Sequence, residues 1–289
     1  MGWLRHLYHR LPAIRELRQI ASSLISLESN VQNQTLQQLN QYTHFTLLQQ
    51  EKYREPGKLN RHEFQVFSQS GEDGILAEIF RRIGVSNRFF VEIAAGDGQE
   101  NNTAYLLSQG WNGLWVEGSA VSAEAIRQCF RTPLADGRLK LADACVTAAN
   151  IEHILREMKV PAEFDLLSLD IDRNTYWVWK ALGSFRPRAV VIEYNATFPP
   201  DVDWKVDYAP GKVCNETIYF GASLKAFELL GQELGYALVG CGLSGVNAFF
   251  VRNDLAGGSF AKPFSAENHY EPPRYFLIRR EAHPPCFHD

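Results

Sequence analysis

Two apolar runs in this chain end in clusters of oxygen-bearing side chains. Phe164-Asp165-Leu166-Leu167-Ser168-Leu169 leads into Asp170-Ile171-Asp172-Arg173-Asn174, and Ala189-Val190-Val191-Ile192 leads into Glu193-Tyr194-Asn195. If the runs are neighbouring buried strands, Asp170, Asp172, Glu193 and Asn195 emerge together at one edge of a sheet. These four are the candidate metal ligands, and Asp170, Asp172 and Glu193 the candidate catalytic residues. Oxygen-only donors suit a hard divalent ion such as Mg²⁺. Such an ion would bind a substrate hydroxyl and lower its pKa. Two metal-free readings use the same residues: Asp172 or Glu193 as general base, or the whole set as hydrogen-bond partners of a substrate. Unpaired buried acids are costly, which weighs against a purely structural role. Arg173 beside them can neutralise one, which weighs against an ion.

A second feature lies upstream, in Glu92-Ile93-Ala94-Ala95-Gly96-Asp97-Gly98. Small residues after a strand let the backbone turn tightly and approach a ligand. Nineteen residues past Gly98, the run Gly113-Leu114-Trp115-Val116 ends at Glu117, where an acid can accept hydrogen bonds from both ribose hydroxyls of a nucleoside. Dinucleotides and S-adenosylmethionine both fit. The dinucleotide fingerprint needs a third small residue, and that place falls on Asn101 or Gln99, both too large. Glu92 inside the strand is unhelpful beside phosphates and suits a cationic ligand. A plain tight turn without a ligand is the remaining reading.

These clusters need a scaffold, and the chain supplies one from about residue 64. Apolar runs at 88–94, 113–117, 138–142, 164–170 and 189–194 alternate with helical patterns at 71–83, 102–109, 120–130, 147–158 and 175–182. An amphipathic helix at 223–234 follows, then two close strands at 236–241 and 248–252 that predict a hairpin. Short, continuous apolar strands separated by helices mean a mostly parallel sheet covered on both faces. The expected fold is α/β, doubly wound and seven-stranded.

The acid-x-G-x-G-x-G pattern with an acid closing the second strand resembles the class I S-adenosylmethionine-dependent methyltransferases. The fuller stretch is similar to their FkbM-type branch. The matching pieces are Phe67-Ser68-Gln69-Ser70-Gly71-Glu72-Asp73-Gly74, Phe90-Val91-Glu92-Ile93, Gly96-Asp97-Gly98, Glu100-Asn101-Asn102-Thr103, and Gly118 after Trp115-Val116-Glu117. The resemblance covers roughly residues 64–255, with one departure: Ala94 stands where the family usually has its first glycine. It implies a Rossmann-like methyltransferase sheet with Gly96 and Gly98 under S-adenosylmethionine. It further implies Glu92 and Asn102 near the amino-acid part, Glu117 on the ribose, Asp143 by the adenine and Gln69 closing over the carboxylate end. The acidic set resembles metal-dependent catechol and macrolide-sugar O-methyltransferases, and the implied acceptor is a hydroxyl on a sugar, glycan or natural product. An N-methyltransferase acting on a peptide or amine, or a non-catalytic scaffold, is the alternative. A nicotinamide-dependent oxidoreductase is disfavoured by Gln99 and Asn101.

The acceptor side is expected from Tyr176 and from Trp204 and Tyr208 in the long segment 198–219, which has no clean period and follows the fifth strand. For His62 and His269, a surface place is favoured over a role as base. Residues 1–60 read as a helical arm, 61–255 as the methyltransferase domain and 256–289 as a Pro/aromatic-rich wrap. In the arm, Leu17, Ile20, Leu24, Leu27 and Val31 alternate spacings of three and four, a coiled-coil seam. It can pack on its own domain or join copies of the chain. Trp3, Leu4, Leu7 and Leu11 with Arg5, His6, His9 and Arg10 could lie on a membrane surface.

The arm to residue 63 carries net +3 and the rest −7, so nucleic acid is not an expected partner. Five scattered cysteines (Cys129, Cys145, Cys214, Cys241, Cys286) with no C-x-x-C pair argue against a disulfide framework or a cysteine zinc site and favour a reducing cytoplasm. No secretory signal or membrane-spanning run is expected.

Overall fold

A computed structural model describes residues 12–210, 212 and 217–278, with side chains from residue 16 onward. The suggested surface helix with Trp3, Leu4, Leu7 and Leu11, the cysteines Cys214 and Cys286, and residues 279–289 lie outside the described residues. The chain divides between Arg54 and Glu55 into two compact units.

In the first unit, helix α1 (Pro12–Tyr42) runs for 31 residues and continues into a π-helical turn, Thr43–Leu47. Leu17, Ile20, Leu24, Leu27 and Val31 are each more than half exposed. Among the described residues, no helix is long and apolar enough to cross a membrane.

The second unit is built on a seven-stranded sheet: β1 (Phe89–Ile93), β2 (Asn112–Glu117), β3 (Leu139–Asp143), β4 (Glu163–Leu169), β5 (Arg186–Glu193), β6 (Tyr236–Cys241) and β7 (Asn247–Arg252). The strand order is β3-β2-β1-β4-β5-β7-β6. The first five strands are parallel, whereas β7 runs antiparallel to both β5 and β6. This is the doubly wound, mostly parallel sheet that the resemblance to class I methyltransferases implies, with the predicted hairpin as its last two strands. The longer helices that cover it are α2 (Glu72–Ile83), α4 (Ala120–Cys129), α6 (Ile151–Glu157) and α8 (Leu224–Leu234), with shorter α3 (Ala104–Ser108), α5 (Arg131–Ala135) and α7 (Thr175–Lys180).

Alternation along each strand divides the core in two. Val91, Ile93, Leu114, Val116, Leu167, Leu169, Val190 and Ile192 join α6, α7 and α8 on one face. Phe90, Trp115, Leu166, Val191 and Phe249 join α2 and α4 on the other. The sheet is therefore apolar on both faces, and its polar chemistry is confined to the strand ends. Helix signals behave as their chemistry requires: the Ser119 and Ser223 hydroxyls cap α4 and α8, and left-handed Gly235 stops α8.

Beyond β7, helices α9 (Asn253–Ala256) and α10 (Ala266–His269) lead the chain back across the sheet edge. Tyr194 Oη donates to Glu271 O at 2.6 Å and Tyr270 Oη to Ala196 O at 2.6 Å. The segment is thereby tied to the end of β5.

Candidate active site

Strand β1 lies between β2 and β4, so the connections leaving β1 and β4 diverge to opposite sides of the sheet. A crevice opens at their carboxyl ends, where doubly wound sheets bind ligands. Two cavities occupy it, of 390 and 430 Å³, and Ala94 and Asp170 line both.

The first cavity is polar. Its walls include Gln69, Glu92, Gly96, Glu100, Asn101, Asn102 and Asn247. Glu92 is buried, and burial pushes its carboxyl up despite four hydrogen bonds that stabilise its charge. Those bonds come from the backbone N–H groups of Asn102 and Thr103 and the hydroxyls of Thr103 and Ser168. Glu92 thus ties the entry of α3 to β4 and offers the cavity charge more than free acceptor sites. Asn102 Nδ2 donates to Ser168 Oγ at 3.1 Å. Asn101 is buried, and its side-chain nitrogen has no hydrogen-bond partner. An orphaned buried donor costs about 1–3 kcal/mol, so the protein holds here a donor that a ligand acceptor would satisfy.

The Ser-Gln-x-Gly-Glu-Asp motif reaches this cavity through Gln69, and its two acids accept hydrogen bonds from the loop's own N–H groups. Asp73 Oδ2 accepts from the N–H groups of Val66, Phe67 and Ser68. Glu72 accepts from Ser70 and Gly71 N–H and from Asn247 Nδ2 at 3.0 Å. Gln69 is left at the cavity, its amide donating to Glu100 at 3.1 Å.

The second cavity is more apolar. It is lined by Ile93, Val116, Glu117, Ser119, Ala144, Cys145, Val146, Thr147, Ile171, Asp172 and Lys212, among others. Glu117 is 7% exposed. One of its oxygens accepts from Gly96 N–H and the other from Ser119 N–H, each at 2.7 Å. Charge-assisted bonds of this kind fix the turn after β1 against the end of β2. Each carboxylate oxygen retains a further lone pair, which a ribose hydroxyl could use.

At the junction of the cavities, oxygens of Asp170, Asp172 and Glu193 lie within 4.8 Å of one another. Solvent reaches Asp170, yet protein surrounds it closely enough that burial raises its carboxyl pKa. A hydrogen bond with Glu193 opposes that rise, and the charge of Asp172 adds to it. Asp172 has a positive φ of 48°, a strained conformation for a non-glycine residue and a frequent mark of functional loops. Arg173 is directed elsewhere: its guanidinium lies 4.9 Å from the Tyr219 ring centroid and donates to Asp207 O. The objection that Arg173 neutralises an acid of this set therefore falls away.

Several residues sit elsewhere than the sequence suggests. Asn195 is fully buried; its amide donates to Ile218 O and Phe220 O and its oxygen accepts from Thr197 N–H. It latches the segment after β5. Tyr176 is 7% exposed and packs on Trp177 and Phe227, so it is core. Asp143 pairs with Arg127 at 3.0 Å and lines neither cavity; Ala144 to Thr147 fill that wall instead. Gly98 is also outside both cavities. A Cβ there would stand 2.6 Å from Phe130 and 2.8 Å from Trp115, so this glycine serves packing beneath the turn, whereas Gly96 opens onto the crevice. Trp204 stacks on Phe198 and meets Tyr219 edge-on, and the Tyr208 hydroxyl accepts from Ala148 N–H. Neither lines either of these two cavities. His269 is buried, not on the surface, and its pKa is pushed down to about 3 by burial and Lys58. His62 lies by Glu78 and Arg82.

Cys145, Ser119, Asn247 and Lys212 were missed as lining residues. The first two follow β3 and β2 directly, a position that alone could have flagged them. Asn247 opens β7, across from Glu193, and only the topology reveals it.

No protein-family model matches the chain, and no curated protein matches it. Solved structures with a similar backbone include the methyltransferase domain of a bacterial CtHen1-C, at 13% identity and TM-score 0.38, over 63% of this chain and 96% of that one. An O-methyltransferase family protein from Burkholderia thailandensis is similar at 11% identity and TM-score 0.38, over 63% and 57%. The glycopeptide N-methyltransferase MtfA complexed with S-adenosyl-L-methionine is similar at 16% identity and TM-score 0.35, over 61% and 86%. The fold assignment rests on the strand order and register given above.

Proposed function

We propose that the chain is an S-adenosylmethionine-dependent methyltransferase that methylates a hydroxyl on a sugar, glycan or natural product, assisted by a divalent cation. The observation that carries this reading is the paired cavity: a polar lobe and an apolar lobe at the switch point, joined at Ala94 and Asp170. S-adenosylmethionine has that same division, a zwitterionic amino acid and a nucleoside joined at the sulfonium. Asn101, Asn102 and Gln69 would face the amino-acid part with the charge of Glu92 behind them. Glu117 would take the ribose, and Ala144 to Thr147 the adenine. The carboxylates of Asp170, Asp172 and Glu193 at the junction suit the positive charge that the bound sulfonium carries before transfer.

The donor set of the triad is all oxygen, the class a hard ion such as Mg²⁺ prefers. Asp170, Asp172 and Glu193 would hold the ion. Bound there, it would lower the pKa of the acceptor hydroxyl. The chain's own work is positional: the strand ends hold donor and acceptor in line, which supplies much of the rate; in the metal-free alternative Asp172 or Glu193 accepts the hydroxyl proton. Without an ion the same acids would bind an ammonium group and take up its proton, so that the neutral amine attacks the methyl group, the N-methylation alternative.

Calorimetry with S-adenosylmethionine tests the first claim: saturable binding of one ligand per chain is expected, and an absence of heat refutes it. Turnover against an acceptor panel with and without EDTA tests the second. If EDTA changes nothing and Asp170→Ala is silent, no metal acts at these acids.

A further inference from the structure

We infer that the amino-terminal half of α1 is a self-association surface whose partner is the same helix of a second copy of this chain. Leu17, Ile20, Leu24, Leu27 and Val31 occupy successive a and d positions of a heptad, and their exposures run from 52% to 65%. An exposed stripe of this width and spacing is the seam of a helix that packs against another helix. Farther along, the apolar residues change face. Leu36 and Leu39 are only partly exposed and Leu47 is buried, so the unpartnered seam is confined to about residues 17–31.

Charge selects the occupant. Residues 16–42 contain one basic side chain, Arg18, and two acidic ones, Glu16 and Glu28. A helix binding anionic lipid carries Lys and Arg along its polar face, and an acidic protein partner would need the same. At the e and g positions flanking its seam this helix instead carries Glu16, Ala21, Ser23, Glu28 and Asn30, and in a parallel pair each glutamate faces Ala21 or Ser23 of the second copy. Two identical, nearly neutral helices meet without like-charge repulsion. Burying the five seam residues removes about 500 Å² per helix, or roughly 1,000 Å² for a pair, taking ~100 Å² for each side chain. That is the lower bound for a specific interface. The short seam and the polar Gln34 and Gln38 that continue it place the association in the micromolar range.

Sedimentation velocity on the full chain, from about 1 to 100 µM, tests this. The wild type should self-associate reversibly. The double variant Leu24→Gln, Leu27→Gln should stay monomeric across that range, with its far-ultraviolet helix signal intact because glutamine is a good helix former. Ser22→Gln with Ser29→Gln, on the opposite side of the helix, should associate like the wild type. A wild type that is monomeric at ~100 µM, association unchanged in the Leu24/Leu27 variant, or a monomer that binds anionic vesicles through this helix would each overturn the inference. Calorimetry with S-adenosylmethionine on the Leu24/Leu27 variant should match the wild type, so failure of this inference and failure of the methyltransferase reading are told apart.

Discussion

Asn101→Ala should move ligand affinity and apo stability in opposite directions. In the free protein the Asn101 amide nitrogen is buried and without a partner, so the residue carries a desolvation cost of about 1–3 kcal/mol. Alanine removes that donor. Asn101 lines an existing cavity, so truncation opens no new void of the kind that usually destabilises. The free variant should therefore unfold at the same temperature as the wild type or up to a few degrees higher. If the donor carboxylate is what satisfies this amide, the variant loses one hydrogen bond to a charged group, about 1.5–3 kcal/mol. The dissociation constant for S-adenosylmethionine should rise roughly 10- to 150-fold. Calorimetry reads the affinity and differential scanning fluorimetry the stability. Decarboxylated S-adenosylmethionine is the control, because it lacks the group in question and should bind both proteins within about threefold. An equal loss for both ligands, or a variant that is destabilised and binds normally, refutes the assignment of the polar lobe to the amino-acid part.

Other predictions follow from the same geometry. Glu117→Gln should weaken S-adenosylmethionine binding by about 2–3 kcal/mol, since two charge-assisted acceptor sites are lost; a change below threefold in calorimetry would leave Glu117 a turn-fixing residue only. Ala94 has a positive φ of 61°, which costs an L residue roughly 1–2 kcal/mol. After the entropy glycine adds to the unfolded chain, Ala94→Gly should stabilise by about 0.5 kcal/mol in denaturant titration, and a clear destabilisation would contradict the backbone argument. Gly98→Ala drives a methyl into Phe130 and Trp115 and should cost about 2–3 kcal/mol, visible as a lowered urea midpoint. Glu78 is 7% exposed and its pKa is lowered from 4.5 to about 2, first by Arg81 and then by Arg82. Its folded pKa lies below the unfolded one, so its contribution is present above pH 4.5 and is lost as pH falls toward 2. Glu78→Gln should cost about 2 kcal/mol at neutral pH, after discounting for the exposed Arg81, a cost that shrinks toward zero as pH falls through about 2; a pH-independent difference would show that the ion pairs are not its source.

The sheet was legible because the strands are short, largely apolar runs, and such runs separated by helical periods allow little besides a covered parallel sheet. The crevice followed from the same logic, since strand order fixes where the edges open. Side-chain roles at the strand ends were less legible. An Asn after a strand reads alike as a ligand or a latch, and what decides for Asn195 is two carbonyls, Ile218 and Phe220, more than twenty residues away. Tyr176 follows an acidic loop in the sequence but turns inward with the helical period of α7. Asp73 and Glu72 look like chemistry in a motif, yet one oxygen of each is occupied by N–H groups of their own loop. Ala94 shows the reverse: it read as a departure from a glycine pattern, and its positive φ explains why glycine is the usual residue there.

The central claim is that one ligand spans both lobes of the crevice. A crystal structure with S-adenosylhomocysteine and Mg²⁺ tests it most directly. The account predicts adenine against Ala144 to Thr147, ribose hydroxyls on Glu117, the carboxylate beside Asn101, and an ion held by Asp170, Asp172 and Glu193. A ligand bound outside the crevice, or bound with its nucleoside in the polar lobe, would contradict it.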